Sequence, residues 1–298
     1  MKTPKPLPVP EVFWKGLKTR SFGRSILFLG EVGSTNDIAR RLAEEGAPEG
    51  TVVTAESQTQ GRGRRGRPWA STPGKSLLFS IVLRPKLPPD ELPKITLAAA
   101  VAVARTCRTF RIKAGIKWPN DLLVDGRKLC GILTETAPKK DKMTPVVLGI
   151  GINLHQTTRD FLKELRPIAT SCFLATGRKV KNALFFQELL RELESTYGWL
   201  TNGDLDRVLL EWRKNSVSLG KRVKVTQANG VFVGEAFDID GIGALLVKTG
   251  MGKVERVLSG DVEVLETKNF KKTNFHHQGT KTPRKAKLRN QNLCCFRN

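Results

Sequence analysis

Two apolar runs, SLLFSIVL at 76–83 and PVVLGIGINL at 145–154, limit the fold more than anything else in the sequence. Both are short, uncharged and rich in bulky or β-branched residues, which is how a buried strand reads. A buried strand needs cover, and the neighbouring sequence offers helices. Residues 34–46 begin with Ser34, Thr35 and Asn36, all good N-caps, carry Asp37 in the first turn and stop at Gly46. Ile38, Ala39, Leu42 and Ala43 form one apolar face. A second helix is expected over 92–110, its alanines suited to close packing. Between these lie a short strand at 51–55 and a loop from about 56 to 75.

After Gly115 the pattern turns to strands. Pro119 is poorly placed inside a central strand, and Asp125-Gly126 between two apolar stretches predicts a hairpin. Residues 159–213 read as mostly helical, most clearly LFFQELLRELESTYGWL. From 219 to 266 the pattern changes to short strands separated by turn residues, the sign of a small β-barrel. Residues 267–298 lack periodicity and read as a disordered basic tail. The expected class is therefore α/β (α+β). A 1–24 extension precedes a 25–218 domain with a mixed sheet and flanking helices, followed by the 219–266 barrel.

Hydrophobic residues at 39% and charged residues at 27% are ordinary globular usage. No apolar run nears the ~18 residues that span a bilayer, and the proline-rich start has no secretory apolar core. A cytoplasmic protein is expected, with no membrane partner. The net charge is +23; the tail holds nine Lys and Arg and no acid, while the rest still has 42 basic against 28 acidic residues. Such a body suits an anionic partner. Five cysteines (Cys107, Cys130, Cys172, Cys294, Cys295) and three histidines (His155, His276, His277), with no C-x-x-C, suit neither a disulfide framework nor a zinc site.

The stretch Gly61-Arg62-Gly63-Arg64-Arg65-Gly66-Arg67-Pro68-Trp69 fits G-x-G-x-x-G. Its context excludes a dinucleotide fold: Pro68 and Pro73 follow instead of a helix, and no acid stands near 81–86. Gly74-Lys75-Ser76 recapitulates a phosphate-loop ending, but Trp69 stands where that motif needs its first glycine. On their own, Gly/Arg pairs read as a solvated loop or a nucleic-acid contact. They also suit a mobile loop closing over an anion, because glycine lets backbone approach and arginine brings planar charge.

The motifs around the loop favour that last reading. Gly33-Ser34-Thr35-Asn36, Glu56 to Gly66, Lys117-Trp118-Pro119-Asn120-Asp121, Arg127 to Leu133 and Gly149 to Leu154 occur in one order. Together they resemble the biotin protein ligase family over about residues 25–265. The resemblance implies an enzyme, a biotin–[biotin carboxyl carrier protein] ligase. Such an enzyme forms biotinoyl-5′-AMP from biotin and Mg-ATP and passes biotin to a lysine of a carboxylase's carrier domain. Biotin and Mg-ATP are substrates, and no tightly bound cofactor is implied.

By resemblance, Arg64 and Lys128 act at the biotinoyl-phosphate junction. Ser34 and Thr35, with Asn36 beside them, meet the biotin ring, although helix capping also explains them. Gln58, the loop residues Gly61, Arg62 and Gly63, and Gly131 and Leu133 complete the biotin site. Trp69 is similar to an aromatic wall for adenine, or is a core aromatic. Asn153 is similar to the reader of the adenine edge. Lys117, Asn120 and Asp121 lie near the phosphates or the incoming lysine. For Asp121, contact with Mg²⁺, orientation of that lysine and capping of a turn stay open.

The 25 or so residues ahead of the pattern are too few for a helix-turn-helix domain, so the monofunctional class and no specific DNA binding are expected. The resemblance also implies an SH3-like C-terminal domain, with Ser259-Gly260-Asp261-Val262 part of it, and a homodimer as one arrangement. Two rivals are a lipoate or octanoate ligase of the same fold and a basic nucleic-acid-binding protein. A panel of acids separates the first; salt-dependent binding without ATP chemistry marks the second.

Overall fold

The computed structural model describes residues 5–136, 145–250 and 252–265. The expected basic tail, 267–298, lies outside the described residues, as do His276, His277, Cys294 and Cys295.

Seven strands form the main sheet: β1 (Ile26–Val32), β2 (Val52–Gln58), β3 (Ser76–Leu83), β4 (Gly115–Lys117), β5 (Asp121–Val124), β6 (Arg127–Thr136) and β7 (Val146–Asn153). Their order is β1-β2-β3-β7-β6-β5-β4. β1 and β2 run parallel and every other neighbour is antiparallel, so the sheet is mixed.

Every residue of β3 is buried because both faces are covered. Leu77, Phe79, Ile81 and Leu83 point into the larger core with α3 (Pro93–Thr109), α5 (Asn182–Thr201) and α6 (Leu205–Asn215). Val82 points to the opposite face, where Ile38, Ala39 and Ala43 of α2 (Thr35–Glu44) pack on Leu29, Val53 and Val147. The period of two along the strand thus feeds two cores. Cys107, Cys130 and Cys172 are free and buried in the larger one.

Five further strands, β8 (Lys221–Gln227), β9 (Gly230–Ile239), β10 (Leu245–Thr249), β11 (Val254–Val257) and β12 (Asp261–Val264), make an antiparallel sheet in the order β11-β10-β9-β8-β12. It matches the small barrel expected there. The 5–24 segment is built in: Leu7 bridges Phe28, and Phe13 of α1 (Glu11–Trp14) packs on Phe28 and Phe186.

One expectation needs correction. β2 runs on to Gln58, because Ser57 and Gln58 pair with Glu31 and Val32, so the loop begins later than 56. The 159–213 stretch is mostly helical, as expected, but in pieces. Beyond a short 3-10 turn come α4 (Cys172–Thr176), α5 and α6, with irregular chain over 161–171. There Lys128 donates to Ile168 O (2.7 Å) and accepts from Thr170 N (2.9 Å), so backbone groups that a helix would use serve β6 instead. No helix among the described residues is long and apolar enough to cross a membrane.

Candidate active site

The site lies where the N-terminus of α2, the end of β2, the start of β5, the middle of β6 and β7, and the Gly/Arg loop meet. It encloses about 140 Å³. Of the sequence-predicted residues, Ser34, Thr35, Asn36, Gln58, Arg62, Gly63, Arg64, Trp69, Lys117, Asn120, Asp121, Lys128, Gly131 and Leu133 all line it. Gly61 and Asn153 do not. Gly61, at the start of the loop, turns its carbonyl to accept from Trp69 N at 2.8 Å. Asn153 is buried with its amide occupied: Nδ2 donates to Thr170 O (3.0 Å) and Oδ1 accepts from Gln156 (3.0 Å).

Helix α2 opens without help from its own N-cap. The Ser34 side chain makes no capping bond and faces the cavity. Gln58 supplies the acceptor instead: its Oε1 takes Thr35 N at 2.8 Å and Thr35 Oγ1 at 3.0 Å. Ser80 Oγ lies 2.8 Å from Thr35 Oγ1 and 2.6 Å from Asn36 Oδ1. Asn36 Nδ2 donates to Glu135 at 2.6 Å. This chain of bonds fixes three pocket side chains beside the positive end of a helix.

Glycines make the floor. A β-carbon on Gly149 would fall 2.1 Å from Asn36 Oδ1, and one on Gly151 would fall 2.6 Å from the Trp69 ring. Gly131 pairs with Gly151 across β6 and β7 and also lies under Trp69. Only glycine lets the indole and the amide descend this far. The buried Trp69 indole N–H has no partner among the described residues.

The arginines of the loop divide their work. Arg62 forks onto Asp37 at 2.9 and 2.7 Å and also reaches Glu135 at 3.1 Å. Arg65 and Arg67 both meet Asp261 of β12, at 2.9 and 2.5 Å. Arg64 has no carboxylate partner among the described residues. Burial, with Arg65 nearby, holds its guanidinium below the usual value. A partly desolvated, unpaired guanidinium is an anion site waiting for its charge.

The Lys117-Trp118-Pro119-Asn120-Asp121 motif forms the turn joining β4 and β5, with a cis bond before Pro119. Asn120 closes it by donating Nδ2 to Ile132 O at 2.7 Å. Trp118 is buried and donates its indole N–H to Gly243 O at 3.0 Å. Lys117 lines the cavity with no ion pair among the described residues. Lys128 pairs with Asp121 at 2.7 Å and lies 5.6 Å from the Trp69 ring centroid. Among the described residues no three His, Cys, Asp or Glu side chains gather as a metal site.

Sequence reasoning missed Asp37, Ser80, Glu135 and Asp261 as site residues. Ser80 carried a signal: it is a hydroxyl in the middle of an apolar strand. The other three are surface-type carboxylates whose partners lie 25 to 196 positions away; the helix start that marks Asp37 and the Ser259–Val262 motif that holds Asp261 do not show which arginine each meets.

The Biotin/lipoate A/B protein ligase family matches residues 30–153, and the Biotin protein ligase C terminal domain matches 218–265. A bifunctional ligase/repressor BirA of Bacillus subtilis (strain 168) is 39% identical over 251 residues, covering 84% of this chain and 77% of the relative. The chain belongs to the biotin protein ligase family. A biotin–acetyl-CoA-carboxylase ligase of Mycobacterium tuberculosis is 36% identical, covering 80% of this chain and 88% of that relative. The biotin protein ligase of Aquifex aeolicus, solved in complex with biotin and ATP, superposes with a TM-score of 0.71 at 28% identity, covering 82% of this chain and all of that one. These ligases share the mixed sheet with flanking helices and the small C-terminal sheet described above.

Proposed function

We propose that this chain activates biotin with ATP as biotinoyl-5′-AMP and transfers the biotinoyl group to a lysine of a biotin carboxyl carrier domain. One observation carries this reading beyond membership of the family. Arg64 and Lys117, both without a carboxylate partner among the described residues, share one enclosed cavity with Lys128 and the N-terminus of α2. Two anions must meet in the first step, and this is where charge is available to gather them.

In that step a biotin carboxylate oxygen attacks the α-phosphorus. The bond to the β-phosphate oxygen breaks and pyrophosphate leaves. Arg64 and Lys128 stabilise the charge that builds on the α-phosphoryl oxygens. Lys128 has to exchange Asp121 for phosphate as it does so. In the second step the acceptor lysine's amine attacks the acyl carbon, AMP leaves, and the amine's proton is lost.

Asp121, freed from Lys128, is placed to hold that incoming ammonium or to meet the Mg²⁺ that travels with the nucleotide. Magnesium is commonly held by one or two carboxylates alongside phosphates. Ser34 and the Thr35–Gln58 pair present polar atoms to the biotin ring. Trp69, with its unpartnered N–H, faces the nucleotide. Asn153 reads adenine only if its amide gives up Thr170 O and Gln156.

The deciding experiment is ATP-dependent transfer of labelled biotin to a carrier domain, with lipoate and octanoate in parallel. Transfer of biotin alone is expected. Transfer of lipoate or octanoate instead, or of nothing by folded protein, overturns the reading.

A further inference from the structure

Ser80 is a hydroxyl in the middle of β3 with no exposure to solvent. It pairs with Val53 of β2 and Gly149 of β7, and it shares its face of the strand with Val82, so it looks toward α2. A hydroxyl buried among apolar side chains is unfavourable unless its bonds are made. Thr54 of β2 meets that need from the backbone, donating Oγ1 to Leu78 O at 2.8 Å. Ser80 does not. Its partners among the described residues are Thr35 Oγ1 (2.8 Å) and Asn36 Oδ1 (2.6 Å), both on side chains that line the cavity. Glycine at 149, opposite Ser80, is what lets the Asn36 amide come down onto it.

The partners settle where the protons go. Glu135 accepts from Asn36 Nδ2, which turns the Asn36 oxygen, a pure acceptor, onto Ser80. Thr35 N donates to Gln58 Oε1, so that oxygen is an acceptor too, and it takes the Thr35 hydroxyl at 3.0 Å. Ser80 has one proton, and Asn36 Oδ1, the nearer of its two partners, has none of its own. The proton of Thr35 is likewise held by protein. Thr35 Oγ1 therefore meets the cavity with lone pairs only.

We propose that Ser80 is a positioning residue for recognition of the acyl substrate. Acting through Asn36 and Thr35, it holds the start of α2 in the arrangement in which Thr35 Oγ1 accepts from a ring N–H. The chemistry so favoured is a cyclic urea. A ring without N–H, such as a dithiolane, leaves the buried acceptor unpaired. The proposal rests on the biotin reading above; the bond network beneath it does not.

The test compares the full-length wild type with S80A. The KM for biotin rises about tenfold, while the KM for ATP and kcat stay within about twofold. In a T35V background the S80A effect on biotin shrinks below about threefold, because the group it acts through is gone. In ligand-free protein, peptides covering 33–40 exchange their amides about threefold faster in S80A. Faster exchange with an unchanged KM for biotin overturns the proposal and leaves Ser80 as an anchor of α2 alone. Equal losses for biotin and ATP, or fully multiplicative effects of S80A and T35V, also overturn it. If S80A is too unstable to assay, S80C keeps a weaker donor and must show the same split between biotin and ATP at smaller size; an even loss overturns the proposal. A wild-type protein that binds no biotin sinks the functional reading and leaves the exchange result to stand on its own.

Discussion

Replacing Lys128 with alanine removes the cation nearest Trp69 and leaves the Asp121 carboxylate facing the cavity without its partner. A lost transition-state donor and an added unpaired anion act in the same direction. Adenylate formation, followed by pyrophosphate release in a single turnover, should fall by at least the ~3–4 kcal/mol typical of such donors. Arg64→Gly should slow adenylate formation in the same way and, by removing the loop's unpaired cation from the cavity, should also weaken retention of the adenylate; trapping with carrier domain reads the leak against retention by wild type. The Arg62 clamp also has a defined pH window. Hydrogen bonds from Arg62 hold the Asp37 carboxyl below its ordinary value. A lowered carboxyl pKa stabilises above the unfolded value of about 3.9 and is lost as pH falls through the folded one. The Arg62 side-chain NMR signal should therefore stay protected at pH 5 and above and broaden only under more acid conditions.

At the scale of elements, the start of α2 depends on another strand. Gln58→Ala strips the acceptor from Thr35 N and Oγ1, at a cost of about 1 kcal/mol in thermal stability and a larger loss in biotin affinity. Equal effects on biotin and ATP would argue against its place at the biotin end. The same strands show what was legible in sequence. SLLFSIVL and PVVLGIGINL declare themselves because burial on both faces leaves a continuous apolar run. Asp125-Gly126 declares its hairpin because Asp125 and Gly126 both take positive φ, at 49° and 74°. The irregular break at 161–171 is not legible because two of its backbone groups, Ile168 O and Thr170 N, pair with Lys128 about forty positions upstream, and composition carries no trace of that. The site follows the same division. Residues in contiguous motifs are readable. The partners of Glu135 and Asp261 are not, because the fold alone decides which arginine reaches each of them.

For the whole molecule, Trp118 is one of the polar links between the main sheet and the C-terminal module, bonding Gly243 O by its indole and Ser218 Oγ by its backbone amide, both at about 3 Å. Trp118→Phe keeps most of the packing and removes the first bond. Protease sensitivity near 240–244 should rise, with a modest fall in melting temperature, while the 76–83 amides keep their protection. A last consequence comes from the three buried thiols. Desolvation pushes Cys107 and Cys130 well above the usual thiol value and Cys172 up to about 12. Because the thiolate is the reactive form, none can be alkylated at neutral pH while its surroundings are closed. They sit on α3, β6 and α4, so each is a silent clock for a different element. Peptide-resolved alkylation at graded urea would time how each opens. Three matching midpoints would mark one cooperative unit, and an early Cys172 would mark α4 as the first part of the enzyme to come loose.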